Sequence, residues 1–163
     1  MNTPTVKNEM GISGKVKIIA YKAGTKEILR ETEYQPNLIM LGTYTGKSLI
    51  LANLVGDVTH TDVINYGALG TSSTTPSTAD TKLGAEVART VLSLGTVSSN
   101  VATLQFFFPD ANLTNGTYNE FGAFVDASAT ANSGQIFNHI LFGTPYTKTS
   151  GEDTTVQLLI TIS

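Results

Sequence analysis

The chain is 163 residues long, enough for one domain with a real core and cramped for two. Only 14% of its residues are charged, well below the ~25% of ordinary soluble proteins, so its surface is expected to be covered by partners or built from Ser, Thr, Asn and Gly. A formal net charge of −3 gives no basic field for nucleic acid or anionic lipid, and the absence of cysteine excludes disulfides and thiolate metal sites.

Residues Met1–Ser13 are polar, without apolar periodicity or a signal-peptide core, and are expected to form an arm that orders only on a neighbour. The domain proper is expected over residues 14–163. No run approaches the ~20 apolar residues of a membrane span, so folding in a cytoplasm is the expectation. Lys15–Tyr34 alternates as a hairpin around a turn at Ala23–Lys26, and Pro36 is expected to end its second strand. In Asn37–Gly56, Leu49, Leu51, Ala52 and Leu54 predict a helix from about Thr45 to Leu54, closed by Gly56 and packed under a sheet. Leu38–Leu41 reads equally well as a buried strand.

Val63–Arg89 reads as a strand, a polar loop at Thr71–Ala79, and a short helix on which Leu83, Glu86 and Arg89 share a face and which Asp80 caps. Strand-like runs follow at Thr90–Val97, Asn100–Pro109, Thr117–Asp126, Gln135–Phe142 and Thr154–Ile162, with a turn at Asn115–Gly116. In the last run Val156, Leu158, Ile160 and Ile162 share one apolar face, which predicts a strand interior to its sheet. The pattern as a whole predicts a mainly β protein, an antiparallel β-sandwich of about eight strands with jelly-roll-like or immunoglobulin-like topology and one or two short helices.

The stretch Leu69, Gly70, Thr71, Pro76, Asp80, Thr81, Leu83, Glu86 and Arg89 resembles a signature of small virion proteins of tailed bacteriophages. That signature runs Leu-Gly-Thr-Gly, a small-residue loop with Pro, then Asp-Thr-x-Leu-x-x-Glu-x-x-Arg. Ser72 departs from it, standing where the second Gly usually falls. The resemblance extends more weakly to Asn37–Ile39 and to Asn119–Phe124. It implies a structural particle protein, with copies of itself and other virion proteins as partners. Tail, baseplate or fibre attachment is the first expectation, and decoration of the capsid head is the alternative.

Chemistry is sparse in the sequence. Gly42–Ser48 imitates a phosphate-binding loop but has one residue too few between its glycines, so a glycine-permitted start to the helix is the expected role. Asp57, His60 and Asp62 lack the carboxylates an oxygen-rich ion loop needs, and Asp110, Asn112 and Asn115 have the wrong spacing for calcium. His139 lies in an apolar strand with no Ser or Cys nucleophile motif and reads as a half-buried or interface histidine. Structural roles are expected for Asp80, Leu83, Glu86 and Arg89, with Arg89 clamping backbone carbonyls or Asp80 to tie down the long loop. No catalytic set, metal or cofactor is expected. A carbohydrate-binding module, with host surface glycan as ligand, is the alternative from another class. It needs exposed aromatics on one face or a calcium-organised loop; there is no Trp, and Phe106–Phe108 must put at least one ring on each face of their strand.

Overall fold

The computed structural model describes residues 11–163 and contains nine strands. They are β1 (Ile12–Lys22), β2 (Ile28–Glu31), β3 (Gln35–Ile39), β4 (Ile64–Gly70), β5 (Glu86–Ser98), β6 (Val101–Phe108), β7 (Gly116–Val125), β8 (Gln135–Lys148) and β9 (Glu152–Ile162). One helix, α1 (Lys47–Leu54), follows β3, and a short 3₁₀ turn at Asp110–Asn112 follows β6. The arm expected over Met1–Ser13 lies outside the described residues up to position 10, while Ile12 and Ser13 already belong to β1.

Every pairing is antiparallel, and the order β1-β3-β8-β7-β4-β5-β6-β9 closes because β9 pairs with β1 along eleven positions, Ile12↔Ile162 through Lys22↔Glu152. This closed eight-strand barrel replaces the expected open sandwich, although its mainly β content is as expected. A barrel and a sandwich share the same inside-outside alternation, so period alone does not separate them. Closure depends on strands that turn a corner. β5 pairs with β4 over Glu86–Val91 and with β6 over Leu92–Ser98, and extra residues at Val87 and Ser93 bend and twist it between those partners. β2 and β3 together flank one edge of β1, β2 against Ile19–Tyr21 and β3 against Gly14–Val16.

Three further expectations change. The helix expected around Leu83–Arg89 is absent, since Glu86 and Arg89 lie on β5 and Leu83 on the loop before it. Pro36 sits inside β3, opposite Lys15, instead of ending a strand. Helix α1 forms where expected and Gly56 follows it at φ 80°, but it packs on the barrel core only through Leu49 and part of Ile50. Leu49 alone among its residues is fully buried, whereas Leu51 and Leu54 are 57% and 72% exposed.

Inward residues of all the long strands fill the barrel. Val16, Ile18 and Ala20 of β1, Val156 and Leu158 of β9, and Phe106 and Phe108 of β6 are buried to within 2% exposure. The Phe106 and Phe121 rings meet with centroids 5.5 Å apart. β9 is interior as the alternation predicted, bonded to β1 on one side and β6 on the other. A smaller cluster, Met40, Ala68, Leu83, Phe124 and Ile136, packs on the outer face of β4, β7 and β8 under the long loop.

Candidate assembly site

The segment from Thr71 to Ala85 crosses the outside of the barrel without regular structure and is held by one side chain at both ends. Glu120, on β7, is fully buried. Its Oε1 accepts the backbone N–H groups of Ser72 (3.2 Å) and Ala85 (2.8 Å), and its Oε2 accepts that of Gly84 (3.0 Å). The carboxylate reaches these donors by passing directly over Gly70, where any Cβ would collide with it. That collision is a physical reason for glycine at this position of the signature. At the departing position of the pattern, the Ser72 hydroxyl accepts from the Thr74 N–H at 3.1 Å and shapes the first turn of the loop.

A second anchor grips the loop nearer its middle. His139, on β8 and only 3% exposed, places Nε2 2.8 Å from Glu120 Oε2 and Nδ1 2.8 Å from Asp80 Oδ2. Gly122 pairs with His139 across β7 and β8, which makes Glu120 its diagonal neighbour on one face. A carboxylate at each ring nitrogen favours the doubly protonated imidazolium, a donor at both ends. Burial pushes the His139 pKa down, but the bonds to Glu120 and Asp80 outweigh it and the net direction is up. Burial likewise pushes Glu120 up, and the bonds from His139, Ala85 and Gly84 outweigh that and hold it below the usual glutamate value. Asp80 also accepts the Ser77 N–H at 2.9 Å, tightening the turn that carries it. With both nitrogens on carboxylates, His139 has no lone pair facing a hydroxyl whose proton it could take. The trio is a latch on the loop.

Leu83 fixes the same segment by burial, at 1% exposure against Met40, Ala68, Phe124 and Ile136. Glu86 and Arg89 form a bidentate pair, Nε to Oε1 at 2.6 Å and Nη2 to Oε2 at 2.8 Å. Residues three apart on a regular strand point to opposite faces, and the extra residue at Val87 brings these two to the same side. Arg89 does clamp carbonyls, those of Ser128 (2.9 Å) and Ser133 (3.2 Å), so it ties down the connection between β7 and β8 and not the loop at Thr71–Ala79. Its guanidinium also stacks over Phe124, 4.9 Å from the ring centroid. Sequence order brings Asp80, Leu83, Glu86 and Arg89 together, whereas Glu120 and His139 come from remote strands. Their signal was a lone ionisable residue in each of two neighbouring apolar runs.

The other polar motifs have structural partners. At Gly42–Ser48 the N–H groups that a phosphate would use already bond to carbonyls, Gly46 to Ile136 (3.1 Å), Lys47 to Met40 (3.0 Å) and Ser48 to Thr45 (3.0 Å). Asp57 accepts the Tyr44 hydroxyl at 2.6 Å, a bond that holds its carboxyl down at about 2, while His60 stacks edge-on against Tyr44. Among the described residues no group of three or more acidic, His or Cys side chains is placed to hold a metal ion. The loop at Asp110–Asn115 instead surrounds the ammonium of buried Lys148, bound by Asp110 Oδ1 (2.5 Å) and Asn115 Oδ1 (3.0 Å). Phe106 and Phe108 point into the barrel while Phe107, 38% exposed, points out.

Fold and site thus define a closed antiparallel barrel that carries a long, shaped surface loop on a buried ionic latch. Comparison of the chain with protein-family models, with curated proteins and with solved structures finds no match in any of the three.

Proposed function

We propose that the chain is a structural component of a tailed-bacteriophage particle, at the tail, baseplate or fibre attachment, and that it works by protein–protein assembly without catalysis. The observation that carries this reading is convergence. Two separate segments of the resemblance, Leu69–Arg89 and Asn119–Phe124, meet at Glu120, where the signature loop is held at both ends. Such anchoring presents the loop in one conformation, which lowers the ordering cost of docking on a neighbour. Its partners are other virion proteins and further copies of itself.

Quantitative mass spectrometry of purified particles tests the reading. Presence at on the order of ten copies per particle supports a tail station, whereas hundreds of copies would place the protein on the head, as the symmetry of each structure dictates. Absence from particles that contain all other structural proteins would overturn the reading.

A further inference from the structure

Two of the strand edges that lie unpaired among the described residues are protected very differently. The first is the seam between β2–β3 and the end of β8, since β3 meets β8 at only Leu38↔His139 and Ile39↔Asn138. There Pro145 removes a donor, the Gln35 side chain accepts the Gly143 N–H at 2.7 Å, and Arg30 donates to the Thr147 carbonyl at 2.6 Å. Charge, proline and side-chain caps are the usual protections of a free edge.

The second is the far half of β5. Its pairing with β4 stops at Val91, and from Leu92 to Ser98 it has β6 on one side and no strand on the other. The turn at Ser99–Asn100 is a two-residue hairpin with Ser99 at φ 53°. In such a hairpin Ser98, Thr96 and Leu94 bond to β6, which leaves Gly95 and Val97 with backbone N–H and C=O groups facing outward. No charged residue or proline occurs from Thr90 to Phe108. Leu94 and Val97 are 49% and 77% exposed on this edge.

We infer that the Leu92–Ser98 edge of β5 is a self-association surface, on which a second copy of the same strand pairs antiparallel across a two-fold axis near Gly95. The occupant follows from charge. A two-fold interface sets each residue against its own copy's neighbours, so a strand carrying charges of one sign opposes itself, and this one carries none. In the paired arrangement Gly95 faces Gly95 of the second copy, Leu94 faces Thr96, and Ser93 faces Val97. Leu94 and Thr96 both lie on the outer face, and two copies of Leu94 sit as diagonal neighbours. The inference rests on the self-association in the reading above and gives it a surface.

A charge swap tests it on the purified full chain. Wild type is expected to sediment as a dimer, Leu94→Lys and Leu94→Glu each as a folded monomer that melts cooperatively at or somewhat below the wild-type temperature, and an equimolar mixture of the two variants as a dimer. Amide exchange at Gly95 and Val97 should be slow in wild type and fast in either variant alone. A wild type that remains monomeric at on the order of 100 μM, or a dimer that both single variants retain, overturns the inference. Its failure is separable from that of the particle reading. A chain found in particles but monomeric in solution refutes only the edge, and a swap-sensitive dimer absent from particles refutes only the station.

Discussion

Replacing Glu120 with Ala should unlatch the loop without unfolding the barrel. The substitution removes the acceptor of three backbone donors, Ser72, Gly84 and Ala85, together with one of the two counter-charges of His139. A buried donor left without a partner costs about 1–3 kcal/mol. Here the loop ends can swing out to water, so the backbone donors fall at the low end of that range. Breaking a buried ion pair from one side costs about 3–5 kcal/mol, and with that relaxation we expect the whole effect to be of this size. For a domain of this length the loss corresponds to roughly 6–20 °C in Tm. Glu120→Gln keeps the shape and one acceptor oxygen but turns an amide NH₂ toward a donor, and should lose about half as much as Glu120→Ala. Urea denaturation gives the energies, and amide exchange locates them. Ser72, Gly84 and Ala85 should become fast while Phe106, Val156 and Leu158 in the barrel stay protected. A Glu120→Ala protein within about 1 kcal/mol of wild type, below the low end of a broken buried pair, or with these three amides still protected, would refute the latch.

The latch also predicts pH dependence with a definite sign. The pKa of His139 is raised in the fold, so its contribution is complete below the ordinary histidine value of about 6.5 and declines as pH rises through the folded value. Glu152, bonded to Arg30 and lowered to about 2, contributes fully above its ordinary value and loses that contribution between pH 4.5 and about 2. Melting temperature measured across pH should therefore fall at both ends, and His139→Gln should abolish the alkaline decline while the part of the acid decline that comes from Glu152 remains. Arg89→Ala leaves the Glu86 carboxylate buried without its cation and should cost about 3–5 kcal/mol in denaturant unfolding, with Arg89→Lys recovering little because an ammonium cannot make the bidentate pair. Lys148→Met should be nearly neutral in the same assay, within about 1 kcal/mol, because the thioether fills the buried space and water can solvate the part-exposed Asp110.

What could be seen in the sequence was local, and what escaped it was long-range. Val156, Leu158, Ile160 and Ile162 announced an interior strand because a period of two needs no knowledge of the neighbours, and β9 lies between β1 and β6. The polar loop after Gly70 was equally plain from Thr71–Ala79. Glu86 and Arg89 misled because a spacing of three imitates a helix, and a strand with one extra residue at Val87 also puts them side by side. Barrel closure depends on pairing Ile12 with Ile162, ends of the described chain that no local pattern connects. His139 read as a half-buried histidine in an apolar strand, and Glu120 entered only as part of the weak extension of the signature at Asn119–Phe124. Their meaning lies in a register between two strands and in Asp80 arriving from a third place.

The backbone of Gly11 bonds to that of Ser163 in both directions, each N–H to the other's oxygen at 2.9 Å. Tension applied at these two points would therefore not shear the β1–β9 ladder along its length. It would peel the ladder like a zipper, loading one pair of bonds at a time from Ile12↔Ile162 toward Lys22↔Glu152. The barrel's longest run of paired positions is strong against heat, where all its bonds must break together, and weak against a pull on its ends. A single-molecule experiment with handles at Gly11 and Ser163 should record low, sequential rupture forces, and handles moved to Gly11 and Gly151 should record one high force.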